Sequence, residues 1–213
     1  MPTFTPASPP FSTPPTPETQ PSRPLSVAVF CGSRYGAHPA FRAAATELGH
    51  GLADAGMRLV YGGGQVGLMG ATADAAQQRG GDILGIIPDF LKRREVAHQG
   101  PMALVVTDTM HDRKRQMIEA ADVFVVMPGG LGTFDETIEI TTWRQLGLHD
   151  KPIVIVDIEG WARPYLAMIE AAIAIGFADP GASSLYIVLS DVSGLLAYLA
   201  TLPRAAPGRA DRL

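Results

Sequence analysis

The chain of 213 residues holds one cysteine, Cys31, so no internal disulfide can form. That excludes a small secreted scaffold stapled by bridges, and a reducing, cytoplasmic setting is expected. Cys31 closes an apolar run and reads as a small buried residue rather than a nucleophile. An excess of cations is also lacking: the formal net charge is -4 and the pI about 5.7. Without a global basic field, neither nucleic acid nor an anionic membrane is an expected partner, and any phosphate must be held by local donors. No apolar stretch reaches the roughly 20 residues of a membrane span. The N-terminus has no basic start followed by an apolar run, so no secretory signal is expected.

Proline is not scarce, but it is unevenly placed: residues 1–24 hold nine of the 18. Mixed with Ser and Thr, they predict a disordered or extended tail over 1–24. A short flexible tail is predicted over 203–213. The intervening stretch, 25–202, is expected to be one Rossmann-like catalytic domain. Hydrophobic residues make up 46% of the chain and charged residues 18%, the balance of a folded globule.

Within 25–202, Val/Ile-rich runs alternate with helical patterns. Strands are predicted at Leu25–Cys31, Met57–Tyr61, Asp82–Ile87, Ala103–Val106, Asp122–Met127, Pro152–Asp157 and Leu185–Leu189. Helices are predicted at Pro39–Ala55, Gly67–Arg79, Thr109–Ala121, Thr133–Leu146, Trp161–Ile175 and Ser190–Leu202. Continuous apolar strands separated by helices mean a parallel sheet covered on both faces. The predicted fold class is therefore α/β, a Rossmann-like doubly wound parallel sheet flanked by helices, with its ligand at the carboxyl ends of the strands.

Two glycine-rich loops fall at such ends. In Gly62-Gly63-Gly64-Gln65-Val66-Gly67, the glycines at 62, 64 and 67 match dinucleotide-fingerprint spacing. However, the loop follows the second strand, and no acid ends the next strand to hold a ribose. It reads either as tight strand–helix packing or as contact with a phosphate. The second loop, Pro128-Gly129-Gly130-Leu131-Gly132-Thr133-Phe134-Asp135-Glu136, exposes several N–H groups in a tight turn. No Gly-Lys-Ser/Thr follows, so a monophosphate fits better than a Mg²⁺-bound triphosphate. Thr133 is placed to cap the next helix. Thr133-x-x-Glu136 also matches a capping box, so Glu136 reads either as a cap or as a functional carboxylate. Arg113 and Lys114 are placed in the first turn of their helix, against its dipole, which points to an anionic ligand or to a solvated basic face. His111 reads more readily as structural than as an acid or base. Met69, Met117 and Trp143 fit either the core or an apolar base pocket. No His/Cys cluster has metal-ligand spacing, and no cofactor is expected.

Cys31-Gly32-Ser33, the Gly62–Gly70 loop, Met110–Lys114 and Pro128–Glu136 together resemble the LONELY GUY family of cytokinin riboside 5′-monophosphate phosphoribohydrolases. The likeness runs from about Val27 to Val188. It implies a homodimer that hydrolyses a nucleoside monophosphate to free base and ribose 5-phosphate. It also implies Arg113 and Glu136 as the catalytic pair. Substrate contacts are implied at Ser33, Gly63, Gly64, Glu95, Arg113, Lys114, Gly130, Leu131, Gly132, Thr133, Phe134, Asp135, Glu136 and Thr142. Leu131 stands where plant members commonly have tyrosine, and Phe134-Asp135 where many have Leu-Glu. Three alternatives stay open: an AMP-directed enzyme, a non-catalytic nucleotide or molybdenum-cofactor binder, and a nicotinamide-dependent oxidoreductase. The last rests only on the Gly62/Gly64/Gly67 spacing.

Overall fold

A computed structural model describes residues 23–92, 100 and 102–203. Its seven strands are β1 (Ser26–Phe30), β2 (Arg58–Tyr61), β3 (Asp82–Pro88), β4 (Ala103–Thr107), β5 (Val123–Val126), β6 (Ile153–Val156) and β7 (Ile187–Leu189). The helices are α1 (Pro39–Asp54), α2 (Gly67–Gln78), the single turn α3 (Asp89–Lys92), α4 (Met110–Ala120), α5 (Leu131–Gln145), α6 (Arg163–Ala174) and α7 (Val192–Thr201). The predicted elements are all present, shifted by at most two residues at their ends. Three short pieces carry too few residues to show a periodicity: α3 and the 3₁₀ turns Ile158–Gly160 and Pro180–Ser184.

All strands pair in parallel, in the order β4-β3-β2-β1-β5-β6-β7. Alternation along each strand divides the core in two. Val27, Val29, Leu59, Tyr61, Val125 and Val154 meet α1, α2 and α7 on one face. Ala28, Phe30, Val60, Phe124, Val126 and Ile155 meet Met117 and Ile118 of α4, Ile140 of α5 and Tyr165 of α6 on the other. Both faces are therefore apolar, which is why the strands read as unbroken hydrophobic runs.

The strand order reverses at β1. The chain winds outward to β4 on one side, then returns to place β5 on the other side of β1. The loops leaving β1 and β5 meet at that switch point, at the carboxyl edge of the sheet where ligands bind in such folds. A shallow surface groove of about 760 Å³, lined by α1 and Leu196 of α7, includes none of the predicted site residues.

Candidate active site

Three loops are packed backbone against backbone at the switch point. Gly32 N donates to Pro128 O at 3.0 Å, and Gly32 O accepts from Leu68 N at 2.9 Å and Met69 N at 3.3 Å. A Cβ on Gly32 would lie 3.2 Å from Gly129 Cα. Gly67 has φ +63°, and a side chain there would strike the backbone of Ser33 and Arg34. The packing reading of the first glycine loop therefore holds. Gly67 and Gly70 are glycine for close packing, whereas a Cβ on Gly62 would sit 2.1 Å from an Arg113 guanidinium nitrogen. Gly62 makes room for the arginine.

The second loop departs from expectation in one respect. The cap of α5 is Gly130, with no side-chain cap bond, so Thr133 lies inside the first turn instead of capping it. The capping-box role for Glu136 falls with it. The hydroxyl of Thr133 packs toward Gly129, where a Cβ would be 2.0 Å from Oγ1, and the side chain is buried. Phe134 N donates to Gly130 O at 3.1 Å. The N–H groups of Leu131, Gly132 and Thr133 precede that first helical bond and point from the N-terminus of α5. Gly130 and Gly132 are exposed, neither has positive φ, and a Cβ on either would meet nothing within 4 Å. Neither backbone strain nor a neighbour requires glycine there, but a ligand approaching the helix terminus would.

Arg113 and Glu136 meet beside this terminus, Nη1 to Oε1 at 3.4 Å, and both are 8% exposed. Arg113 is further fixed by Nε donating to Ile86 O at 3.2 Å and by Nη1 contacting Met110 Sδ at 3.3 Å. Burial pushes the Glu136 carboxyl up to about 7, outweighing the opposing pull of the Arg113 guanidinium. The dipole conflict inferred for α4 is reduced in the structure. Thr109 caps the helix, accepting from Asp112 N at 3.0 Å, so an acid occupies the first turn and Arg113 follows it. Lys114 lies between two carboxylates, 3.2 Å from Asp135 and 3.1 Å from Glu139. Burial alone would lower its pKa, but these two acids raise it, so the ammonium is held charged.

The remaining predicted residues divide by position. Ser33 is exposed after β1, and Gly63 and Gly64 are buried in the first glycine loop. Asp135 is exposed and paired with Lys114. The ring of Phe134 turns inward and stacks on Trp161 and Tyr165. Leu131 is 89% exposed at the helix tip. Thr142 is exposed on a different face of α5 from buried Glu136. Glu95 lies outside the described residues. Met117 is fully buried in the core and Trp143 packs against it, whereas Met69 borders the site, 3.1 Å from where a Gly62 Cβ would stand. Cys31 is buried, and burial pushes its thiol up, which makes it inert. Two site neighbours escaped the sequence reading, Glu139 and Trp161. Glu139 lies three residues past Glu136 on the same helix, a spacing that could have flagged it. Trp161 comes from a distant loop and has no local signal. Among the described residues, no cluster of three His, Cys, Asp or Glu side chains could hold a metal ion.

Fold and site together define a Rossmann-like α/β domain that presents an open helix N-terminus beside a buried arginine–carboxylate pair. A family model described as possible lysine decarboxylase matches residues 69–199. The cytokinin riboside 5′-monophosphate phosphoribohydrolase of Rhodococcoides fascians is 43% identical over 177 residues, covering 83% of this chain and 89% of that protein. The Arabidopsis thaliana enzyme LOG2, of the same description, is 39% identical over 178 residues, covering 84% of each chain. The chain belongs to the LONELY GUY family of cytokinin riboside 5′-monophosphate phosphoribohydrolases. The fold is also shared with the molybdenum cofactor carrier protein of Chlamydomonas reinhardtii, at TM-score 0.63 and 22% identity over 84% of this chain and 96% of that one. The decarboxylase description finds no support in the lysines near the sheet. Lys114 is held charged by two acids, and Lys151 Nζ is bound to Ile118 O at 2.7 Å.

Proposed function

We propose that this protein hydrolyses the N-glycosidic bond of a cytokinin riboside 5′-monophosphate, releasing the free base and ribose 5-phosphate. The carrying observation is the buried Arg113–Glu136 pair beside the N-terminus of α5, where Gly130 and Gly132 leave open space that no neighbour requires. The 5′-phosphate binds the N–H groups of Gly130–Thr133, where the helix dipole favours an anion. That grip places the anomeric carbon near Glu136. As the C–N bond breaks, its electron pair leaves with the base and positive charge builds on the ribose ring. Ionised Glu136 stabilises that charge and takes a proton from the attacking water, whose oxygen becomes the new hydroxyl of ribose 5-phosphate, and that proton passes on to the ring nitrogen of the departing base. A carboxyl titrating at about 7 is a competent base at neutral pH. The guanidinium of Arg113 orients Glu136 and offers its remaining donors to the substrate. Asp135 and Glu139 hold Lys114 charged at the rim, where it adds attraction for the phosphate. Ser33, Gly63, Gly64 and Glu95 are retained as proposed contacts on the family likeness.

We further propose a cytoplasmic homodimer. The free, buried Cys31 thiol supports a reducing compartment. The dimer is supported by the exposed apolar side chains Leu131, Ile138, Leu146 and Leu148 along and just beyond α5.

Product chromatography tests the reaction. The protein is incubated separately with isopentenyladenosine monophosphate, AMP and the two dephosphorylated nucleosides. Free base is expected from the monophosphates only, faster from the prenylated one. Intact nucleotide in every reaction, from folded protein, would refute the proposal, and a faster reaction with AMP would reassign the substrate.

A further inference from the structure

We infer that Trp161 is a positioning residue for the loop after β5, its indole N–H orienting the Gly129–Gly130 peptide so that the Gly130 N–H faces the bound phosphate. The inference rests on the phosphate site proposed above. Trp161 Nε1 donates to Gly129 O at 3.0 Å, across 32 residues of chain. No described peptide bond is cis. In a planar trans peptide the carbonyl and the following N–H point in opposite directions, so fixing Gly129 O fixes Gly130 N–H. That N–H is aimed away from the indole, and a Cβ on Gly130 would meet nothing within 4 Å.

The indole is itself held firmly. Phe134, in the first turns of α5, stacks on it with centroids 5.4 Å apart and planes 2° from parallel. Phe134 also stacks on Tyr165 of α6 at 5.9 Å. The turn that delivers Trp161 is unusual. Glu159 has φ 54°, the only positive φ among described residues other than glycine, and Gly160 follows at φ 74°. Asp157 Oδ1 then accepts from Ala162 N at 2.7 Å, and Trp161 N donates to Ile158 O at 3.0 Å, closing the turn. Left-handed backbone at a non-glycine residue persists only where its surroundings over-determine it. The turn sets one bulky donor under the phosphate loop. Any aromatic ring would satisfy the stacking, whereas the indole N–H adds the bond to the Gly129 carbonyl.

The test separates these two contributions. Trp161→Phe keeps the stack and deletes the donor. Tyr186→Phe deletes a hydroxyl in the same aromatic cluster, where the ring lies 6.4 Å from Tyr165. Wild type and both variants are compared for kcat and KM on isopentenyladenosine monophosphate, for calorimetric Kd of ribose 5-phosphate, and for Tm. Trp161→Phe should raise KM and Kd together by about fivefold, the weight of one hydrogen bond, and leave kcat within twofold. Tyr186→Phe should leave all three unchanged. A lowered Tm with KM and Kd unchanged would show a merely structural role and overturn the inference. If Trp161→Phe does not fold, Trp143→Phe leaves Trp161 as the only tryptophan. Its emission should then shift when ribose 5-phosphate is added, and an unmoved spectrum overturns the inference. Wild type that binds no ribose 5-phosphate and turns over no nucleotide refutes the phosphate site itself, a failure distinct from a silent Trp161→Phe.

Discussion

Glu136 is an acid almost removed from water, paired directly with Arg113. Its folded pKa, about 7, lies above its ordinary 4.5, so between those values the folded state holds more protons than the unfolded chain. Stability from this group is complete below pH 4.5 and is lost as pH rises through 7. The span corresponds to about 3 kcal/mol. Glu136→Gln removes the titration. Its Tm should therefore gain on wild type as pH rises from 5 to 7.5, then level off, in a thermal scan across pH. The reverse trend would mean that attraction to Arg113 outweighs burial. The same substitution should reduce kcat by a factor of 100 or more while nucleotide binding persists. Wild-type kcat/KM should rise with pH around an apparent pKa near 7. Near-normal turnover in Glu136→Gln would remove the residue from the mechanism. This role was only half legible in the sequence. Thr133-x-x-Glu136 fits a capping box equally well, and only the true cap at Gly130 shows the glutamate free for other work.

At the scale of elements, α5 does two jobs at its N-terminus: it stacks Phe134 into the aromatic cluster and leaves its first N–H groups open. Gly132 sits in that first turn, where alanine should suit the helix better. Gly132→Ala should therefore leave Tm unchanged or raise it by a few degrees. Yet KM for the monophosphate should rise at least tenfold, since the new methyl group enters the cradle. A variant that is more stable and equally tight-binding would show the cradle to be elsewhere. Element existence was legible because β1, β5 and β6 are unbroken apolar runs, and the helices between them keep a regular apolar face. The start of α5 was read two residues late, because a threonine is the expected cap and a glycine is not. The turn at Ile158–Gly160 left no periodic trace, and its consequence, an indole under a loop 32 residues away, exists only in three dimensions. Arg113 has the same character. Its charge was visible, but its burial depends on the space left by Gly62 on another loop.

On the scale of the whole molecule, α5 presents an exposed apolar stripe among the described residues. Leu131 and Ile138 of α5 and Leu146 at its C-terminal cap recur at helical spacing, with Leu148 just beyond, and Leu131 is 89% exposed. A stripe of this kind is the surface on which the proposed dimer would form. Thr142 lies on the exposed side as well, six residues beyond Glu136 and so about 120° around the helix axis. It faces away from its own Glu136. In the proposed dimer, a threonine so placed would contact substrate only from the partner's side, which would make pairing a condition of full activity. Ile138→Asp combined with Leu146→Asp should convert dimer to monomer in light scattering after size-exclusion chromatography. Turnover should fall with the dimer fraction while Tm drops only modestly, because both side chains are already solvent-exposed within one chain. Wild type eluting as a monomer at micromolar concentration would refute the pairing. A monomeric variant with full turnover would keep the dimer but confine each site to one subunit.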